Sequence, residues 1–254
     1  MAIAKPSDFR VEPVSPAPFD HLLIDDYLDP ALYAELAASF PDCPPNSGPT
    51  GYTLYWGDPE YDRLIAEHPA WKRFFELFHN QDFVEYSIAQ FEQAFASQGK
   101  VDLSHPRYVP YAESRADKAR QQLARPEHDP DELWVRVDIM QGRIGYDRQP
   151  HLDHRRRAIT LLIYFCEPGE GGDLLLHDRN GDTHKVEPKP NRMVMFPCNQ
   201  YSVHSVTPII AQSQYRNTVQ VTVSSSVDIW PGMPGIPALR SMAGKVLRRL
   251  HLRA

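Results

Sequence analysis

The chain has 254 residues, 42% of them hydrophobic and 24% charged, with a formal net charge of −6. That is enough apolar material for one large domain, and the acidic balance excludes a broad nucleic-acid-binding surface. No run approaches the roughly 20 apolar residues of a membrane span, Met1 to Pro6 lead into no apolar signal core, and three widely spaced cysteines (Cys43, Cys166, Cys198) form no CxxC pair, so free thiols in a reducing cytoplasm are expected rather than disulfides or a zinc–thiolate site.

Twenty-four prolines against 13 glycines predict a loop-rich chain. After a proline-punctuated extended start over 6–18, Leu22-Leu23-Ile24 reads as a short strand. Asp29 is placed to cap a helix that opens at Pro30, carries Leu32, Leu36 and Phe40 on one face, and ends before Pro41. A proline- and glycine-rich loop is expected from Pro41 to Pro59. A helical region follows from about Pro69 to Gln98, with one apolar stripe of Trp71, Phe74, Phe75 and Phe78 and another of Ile88, Phe91 and Phe95. Such stripes predict helices packed on a sheet. Residues 99–131 are charged, with little to bury, and read either as a surface excursion or as a lid.

From Glu132 the pattern changes to short β-rich runs. Strands are expected over Leu133 to Gln141, Ile159 to Phe165, Leu174 to Leu176, Met193 to Phe196, Ser202 to Val206 and Arg216 to Ser224. Asn180-Gly181 predicts a two-residue hairpin that sets His177 directly opposite His184. The predicted class is α+β: a double-stranded β-helix (jelly roll, cupin-like) over about 132–228, with N-terminal helices packed on one sheet. The division is then 1–131, helical and loop-rich with the candidate lid; 132–228, the jelly-roll core; and 229–254, a basic C-terminal helix.

His151-Leu152-Asp153 is a His-x-Asp pair at the start of the β-rich half. Side chains two apart on a strand share a face, so imidazole and carboxylate converge on one point. A second histidine from a neighbouring strand completes a 2-His-1-carboxylate set with three open metal positions. His204, several strands later, is the best third ligand. His154 should face away and is read as a non-ligand. On the last strand Arg216, Thr218, Gln220 and Thr222 share one face, and Val219, Val221 and Val223 the other. With the valines against the helices, Arg216 points into the barrel, where an unpaired guanidinium is costly. It needs a carboxylate, supplied either by a dicarboxylate cosubstrate or by an internal Asp or Glu.

The ordered combination of His151-Leu152-Asp153, the run Ile159 to Phe165, Gly171-Gly172-Asp173-Leu174, Phe196-Pro197, His204-Ser205-Val206 and Arg216 resembles the prolyl-4-hydroxylase-like branch of the 2-oxoglutarate/iron(II) dioxygenases. The resemblance is good over about 135–224 and loose over 24–41. It implies Fe(II) held by His151, Asp153 and His204, with 2-oxoglutarate and O2 as cosubstrates. It implies that Arg216 binds the far carboxylate of 2-oxoglutarate, that Tyr164 hydrogen-bonds the same group, and that Gln141 lines the cosubstrate pocket. The gap from His204 to Arg216 is longer than is usual in the family, so Ile209 to Gln214 should form an extended turn. Asp153 sets the chain apart from halogenating relatives, which lack that carboxylate.

The implied activity is hydroxylation of a C–H bond in a small-molecule, amino-acid or peptidyl substrate, with release of succinate and CO2. Two alternatives stand beside it. The same cofactors could carry desaturation, epoxidation or cyclisation in natural-product or sugar tailoring, or the barrel could serve a cupin-like isomerase or metal-binding protein. A non-catalytic interaction protein is favoured only by the tail. Arg155-Arg156-Arg157 reads either as an anion-steering patch or as a solvated loop. Tyr52, Tyr55 and Trp56 read either as substrate-stacking groups or as core. The tail, with Arg240, Lys245, Arg248, Arg249 and Arg253 and no acids, reads either as a helix docked on its own domain or as one touching a partner or a membrane surface.

Overall fold

Strand β11 (Arg216–Ser225) sets the plan of the molecule. Its alternation puts Val219, Val221 and Val223 into an apolar layer beneath the helices. Arg216, Thr218, Gln220 and Thr222 therefore take the opposite face, because successive side chains on a strand point to opposite sides. The computed structural model describes residues 12–45, 51–110, 129–180 and 182–231.

Eight strands form the jelly roll: β4 (Glu132–Gly142), β5 (Arg148–His151), β6 (Arg157–Tyr164), β7 (Leu174–His177), β8 (Thr183–Val186), β9 (Met193–Pro197), β10 (His204–Val206) and β11. They divide between two sheets, with the order β9-β6-β11-β4 in the larger and β5-β10-β7-β8 in the smaller. The larger sheet is extended by β1 (Leu22–Ile24) beside β9 and by β2 (Gly51–Leu54) beside β4, while β3 (Arg107–Tyr108) pairs parallel with β4. The N-terminal segment thus shares a sheet with the jelly roll.

The described residues form five helices: α1 (Pro30–Ala38), α3 (Pro69–Phe78), α4 (Gln81–Ala89) and α5 (Glu92–Gln98) on the predicted stripes, and α2 (Pro59–Glu67), which was not expected. Asp29 caps α1 as expected, its carboxylate accepting from Ala31 N and Leu32 N at 3.0 Å. Trp71, Phe74, Phe78, Phe83, Ile88 and Phe95 are buried with the outer-facing Val135, Val137, Ile139, Leu161 and Val221 of the sheet. A second, smaller cluster of Leu162, Tyr164, Leu174, Leu176, Val194 and Phe196 lies between the two sheets.

Three expectations change in detail. The proline-rich stretch 41–59 is not all loop, because Gly51–Leu54 pairs with β4 and α2 opens at Pro59. The helical region 69–98 is three helices, since Asn80 accepts from Phe83 N at 2.8 Å and starts α4 afresh. The hairpin after β7 is slipped by one residue: His177 faces Thr183, and His184 faces Leu176. The Asp178 carboxylate accepts from Asn180 N and Asp182 N, at 2.8 Å each. The turn is wider than a two-residue Asn-Gly turn, and a one-residue slip moves a side chain to the other face. The two histidines therefore do not pair.

Of the candidate lid, 111–128 lie outside the described residues. Its flanks are tied down, with Arg107 bonded to Asp129 and Asp131 at 2.9 and 2.8 Å. Ile229 and Trp230 are buried, and the Trp230 ring stacks on Phe95. The basic tail from 232 onward lies outside the described residues. Among the described residues no helix is long and apolar enough to cross a membrane.

Candidate active site

His204 on β10 sits directly opposite His151 on β5, and their ring centroids are 4.3 Å apart. Asp153 follows just beyond β5 and closes the group. One ligand atom from each of the three lies within 4.8 Å of the others. Each imidazole is fixed through its Nδ1, which donates to a carbonyl at 2.9 Å: Gln149 O for His151 and Ser202 O for His204. Both Nε2 atoms are thereby left as acceptors, the tautomer that a metal requires. His204 Nε2 is 4.0 Å from Asp153 Oδ2.

The charge state suits a divalent cation. Burial, with His204 close by, pushes the pKa of His151 down to about 4, so the ring is neutral at physiological pH. Burial alone would raise Asp153, but Arg157, His204, Thr160 and His151 together hold its carboxyl well below the usual carboxylate range. Thr160 donates to Asp153 Oδ2 at 2.6 Å, and Arg157 Nη1 lies 2.8 Å from Oδ1. Two imidazoles and one carboxylate on one side of a point form a donor set of non-haem iron type.

Arg216 occupies the inner face, buried at 9% exposure. It donates through Nε to Gly172 O at 2.6 Å, through Nη1 to Thr218 Oγ1 at 3.3 Å and through Nη2 to the Tyr164 hydroxyl at 3.4 Å. No acid lies within ion-pair distance of it among the described residues, so an internal Asp or Glu does not neutralise it there. Gly172 has φ +80°, and a Cβ there would stand 2.9 Å from Arg216 Cδ, so the backbone packs flush against the guanidinium arm. The long gap before Arg216 is taken up as expected by an extended turn. Ile209 N donates to Tyr146 O and Ile210 N to Glu170 O, which leaves Arg216 in register opposite Gly142.

The structure does not bring Gln141 to this group. Gln141 stands opposite Asn217, one residue out of phase with Arg216, and so faces the helices. Its Oε1 accepts from Cys43 N at 3.2 Å and its Nε2 donates to Pro41 O at 3.3 Å. It pins the 41–43 segment.

The sequence reading missed Arg136 and Asp138. Register places Arg136 beside Thr222 and Thr222 beside Thr160, the residue that holds Asp153. Two strand spacings, about 10 Å, separate Arg136 from Thr160 on the inner face. Asp138 is buried at 2% exposure, and both its oxygens accept from Arg136 at 2.6 to 3.0 Å. The signal was present in Val135-Arg136-Val137-Asp138-Ile139, an alternation that puts two charges on the face away from the helices.

The remaining candidates have structural partners. His154 Nδ1 accepts from Arg156 N at 3.2 Å, away from the triad. Arg155 and Arg156 face Asp228 at 3.1 and 3.7 Å. Tyr52 lies under Arg143, 3.6 Å from ring centre to guanidinium, and Trp56 stacks on Phe75. Cys43, Cys166 and Cys198 are buried, and none forms a disulfide.

This geometry sits in a segment with known counterparts. Residues 137–222, which contain the triad and Arg216, match the family model described as 2OG-Fe(II) oxygenase superfamily. This segment is similar to the core of that family. Among solved structures, a prolyl 4-hydroxylase from Phytophthora capsici is 16% identical, with a TM-score of 0.52, covering 91% of this chain and 68% of its own. A Pseudomonas putida prolyl-4-hydroxylase is also 16% identical, with a TM-score of 0.48, covering 81% and 92%. No curated protein matches the chain. The description of that family names 2-oxoglutarate and Fe(II), and the donor set of His151, Asp153 and His204 fits that metal.

Proposed function

We propose that this protein is a 2-oxoglutarate-dependent non-haem iron dioxygenase that hydroxylates a C–H bond of a small-molecule, amino-acid or peptidyl substrate and releases succinate and CO2. The observation that carries the reading is Arg216. A buried guanidinium with no acid partner among the described residues, on the inner face of the barrel that also holds the triad, is a site for the far carboxylate of a dicarboxylate.

In this reading His151, Asp153 and His204 hold the iron on one side and leave three positions open. When bound, the iron with 2-oxoglutarate and O2 supplies the oxidising power for C–H hydroxylation. The chain does the rest. Arg216 binds the far carboxylate of 2-oxoglutarate, and Tyr164, buried beside it, adds a hydroxyl donor. Thr160 and Arg157 fix the rotamer of Asp153. Leu162, Leu176, Val194 and Phe196 line the barrel between the sheets and exclude water around the reacting groups. Arg136, Asp138, Gln220 and Thr222 give the same face a polar wall, which suits a substrate with hydrogen-bonding groups.

The test is anaerobic addition of Fe(II) and then 2-oxoglutarate to the purified protein, read by visible absorption. A weak charge-transfer band is expected in the wild type and not in His151→Ala or Arg216→Ala. Iron binding without the band would remove the cosubstrate from the reading and put the cupin-like isomerase or metal-binding protein first.

A further inference from the structure

Asp153 carries a counter-charge before any metal arrives. Arg157 Nη1 is 2.8 Å from its Oδ1, and the two side chains are only 17% and 10% exposed. The other oxygen, Oδ2, takes the Thr160 hydroxyl and is the one that faces His204 Nε2. Arg157 is held for this contact. Its N–H donates to His154 O at 2.8 Å, and its own carbonyl accepts from Trp230 Nε1 at 2.9 Å. Its Nε is buried with no hydrogen-bond partner, and Asp153 is its one ion-pair partner among the described residues. The neighbouring Arg155 and Arg156 direct their charge to Asp228 instead.

We propose that Arg157 makes metal binding and dicarboxylate binding depend on each other, weakening the site for the metal alone and strengthening the metal-loaded site for a dianion. The inference rests on the iron and 2-oxoglutarate reading given above. Formal charges carry it. A divalent cation on two neutral imidazoles and one carboxylate leaves one positive charge. Arg157 raises that to two in a poorly solvated place, where charge is weakly screened. Arg216 adds a third on the inner face, so a metal ion alone is disfavoured, and a dicarboxylate offsets two of the three. Arg148 Nε, 3.5 Å from His151 Nε2, adds positive charge on the exposed side, where solvent weakens it. Coupling of this kind is reciprocal: whatever factor the dianion adds to metal affinity, the metal adds to dianion affinity. A residue that served only to orient Asp153 would give the opposite sign, since its loss would weaken metal binding.

The experiment is Co(II) binding to the purified full-length metal-free protein, by calorimetry and by the visible Co(II) spectrum, with and without N-oxalylglycine, an unreactive dianionic analogue of 2-oxoglutarate. In the wild type the analogue should tighten Co(II) binding about tenfold or more. In Arg157→Gln, Co(II) alone should bind roughly three- to tenfold more tightly, and the gain from the analogue should shrink by a similar factor. Arg157→Lys keeps the charge and should behave like wild type. Arg157→Met, which keeps the buried stem without charge, replaces the glutamine variant should that variant not fold. Weaker Co(II) binding in the charge-free variants, with an unchanged gain from the analogue, overturns the inference and leaves the iron reading intact. Wild-type protein that binds no Co(II), or a His204→Ala variant that binds it equally well, overturns both.

Discussion

The Arg216 guanidinium lies 3.4 Å from the Tyr164 hydroxyl and 5.1 Å from the centre of its ring, with the Gly172 backbone closing the third side. Tyr164 is fully buried, and burial pushes its hydroxyl pKa up, so it stays a neutral donor. Two donors thus converge where no acid among the described residues answers them. Arg216→Met should weaken 2-oxoglutarate binding to the metal-loaded protein by about 10- to 100-fold, while Tyr164→Phe loses one neutral hydrogen bond and costs about three- to tenfold. Metal affinity without 2-oxoglutarate should stay near wild type in Tyr164→Phe. Calorimetry with Mn(II) in place of iron reads both, and an Arg216→Met protein that still binds 2-oxoglutarate normally would remove Arg216 from the site.

Gly172 offers a test of the same contact by steric means. A methyl group there would stand 2.9 Å from Arg216 Cδ and 3.1 Å from Ile209 Cγ1, at a φ of +80° that side chains rarely adopt. Gly172→Ala should cost about 1 to 2 kcal/mol of stability from backbone strain. It should also displace the guanidinium and weaken 2-oxoglutarate binding, with metal affinity nearly unchanged. Thermal unfolding and the same calorimetry check the pair of effects. Lost stability with fully retained 2-oxoglutarate affinity would show that the arm tolerates displacement.

Much of this was legible in the sequence, and the parts that were not have physical reasons. The period-two pattern of Arg216 to Ser224 separated both faces of its strand, because a strand between two layers must sort its side chains. The triad was legible because His151 and Asp153 lie two apart on one strand end and His204 follows several strands later, where a jelly roll brings its strand back beside the first. Gln141 was placed by the resemblance alone, against the alternation of Val135, Val137 and Ile139, which puts residue 141 on the helix-facing side. The His177–His184 pairing failed for a related reason: the Asp178 side chain competes for the turn amides and widens the hairpin. Strand β2 was hidden in a proline-rich stretch because its pairing with β4 is long-range and leaves no local period.

The Arg136–Asp138 pair sets up a double-mutant cycle. Removing Arg136 leaves a carboxylate at 2% exposure without the two donors that satisfy it. Arg136→Met should therefore destabilise the protein by about 3 kcal/mol, whereas replacing both residues, Arg136→Met with Asp138→Leu, should cost much less. Denaturant unfolding of the four proteins gives the coupling. Independent, additive effects would mean that the charges are solvated separately and do not form a buried pair.

His79 supplies a pH dependence away from the metal ligands. Its ring stacks on Phe75 with centroids 3.5 Å apart, and its Nδ1 donates to Phe75 O at 2.9 Å. Burial pushes its pKa down to about 4, from 6.5 in an exposed chain. The unfolded chain then binds a proton more readily than the folded one, so stability rises with pH between about 4 and 6.5. The contribution of His79 is fully present above that window and is lost as pH falls through it, by about 3 kcal/mol in all. His151 adds a slope of the same sign in metal-free protein, so the measurement is a difference. Unfolding free energies of wild type and His79→Phe at several pH values should show a shallower slope for the variant between pH 4.5 and 6.5. Parallel slopes would mean that His79 takes up its proton without disturbing the stack.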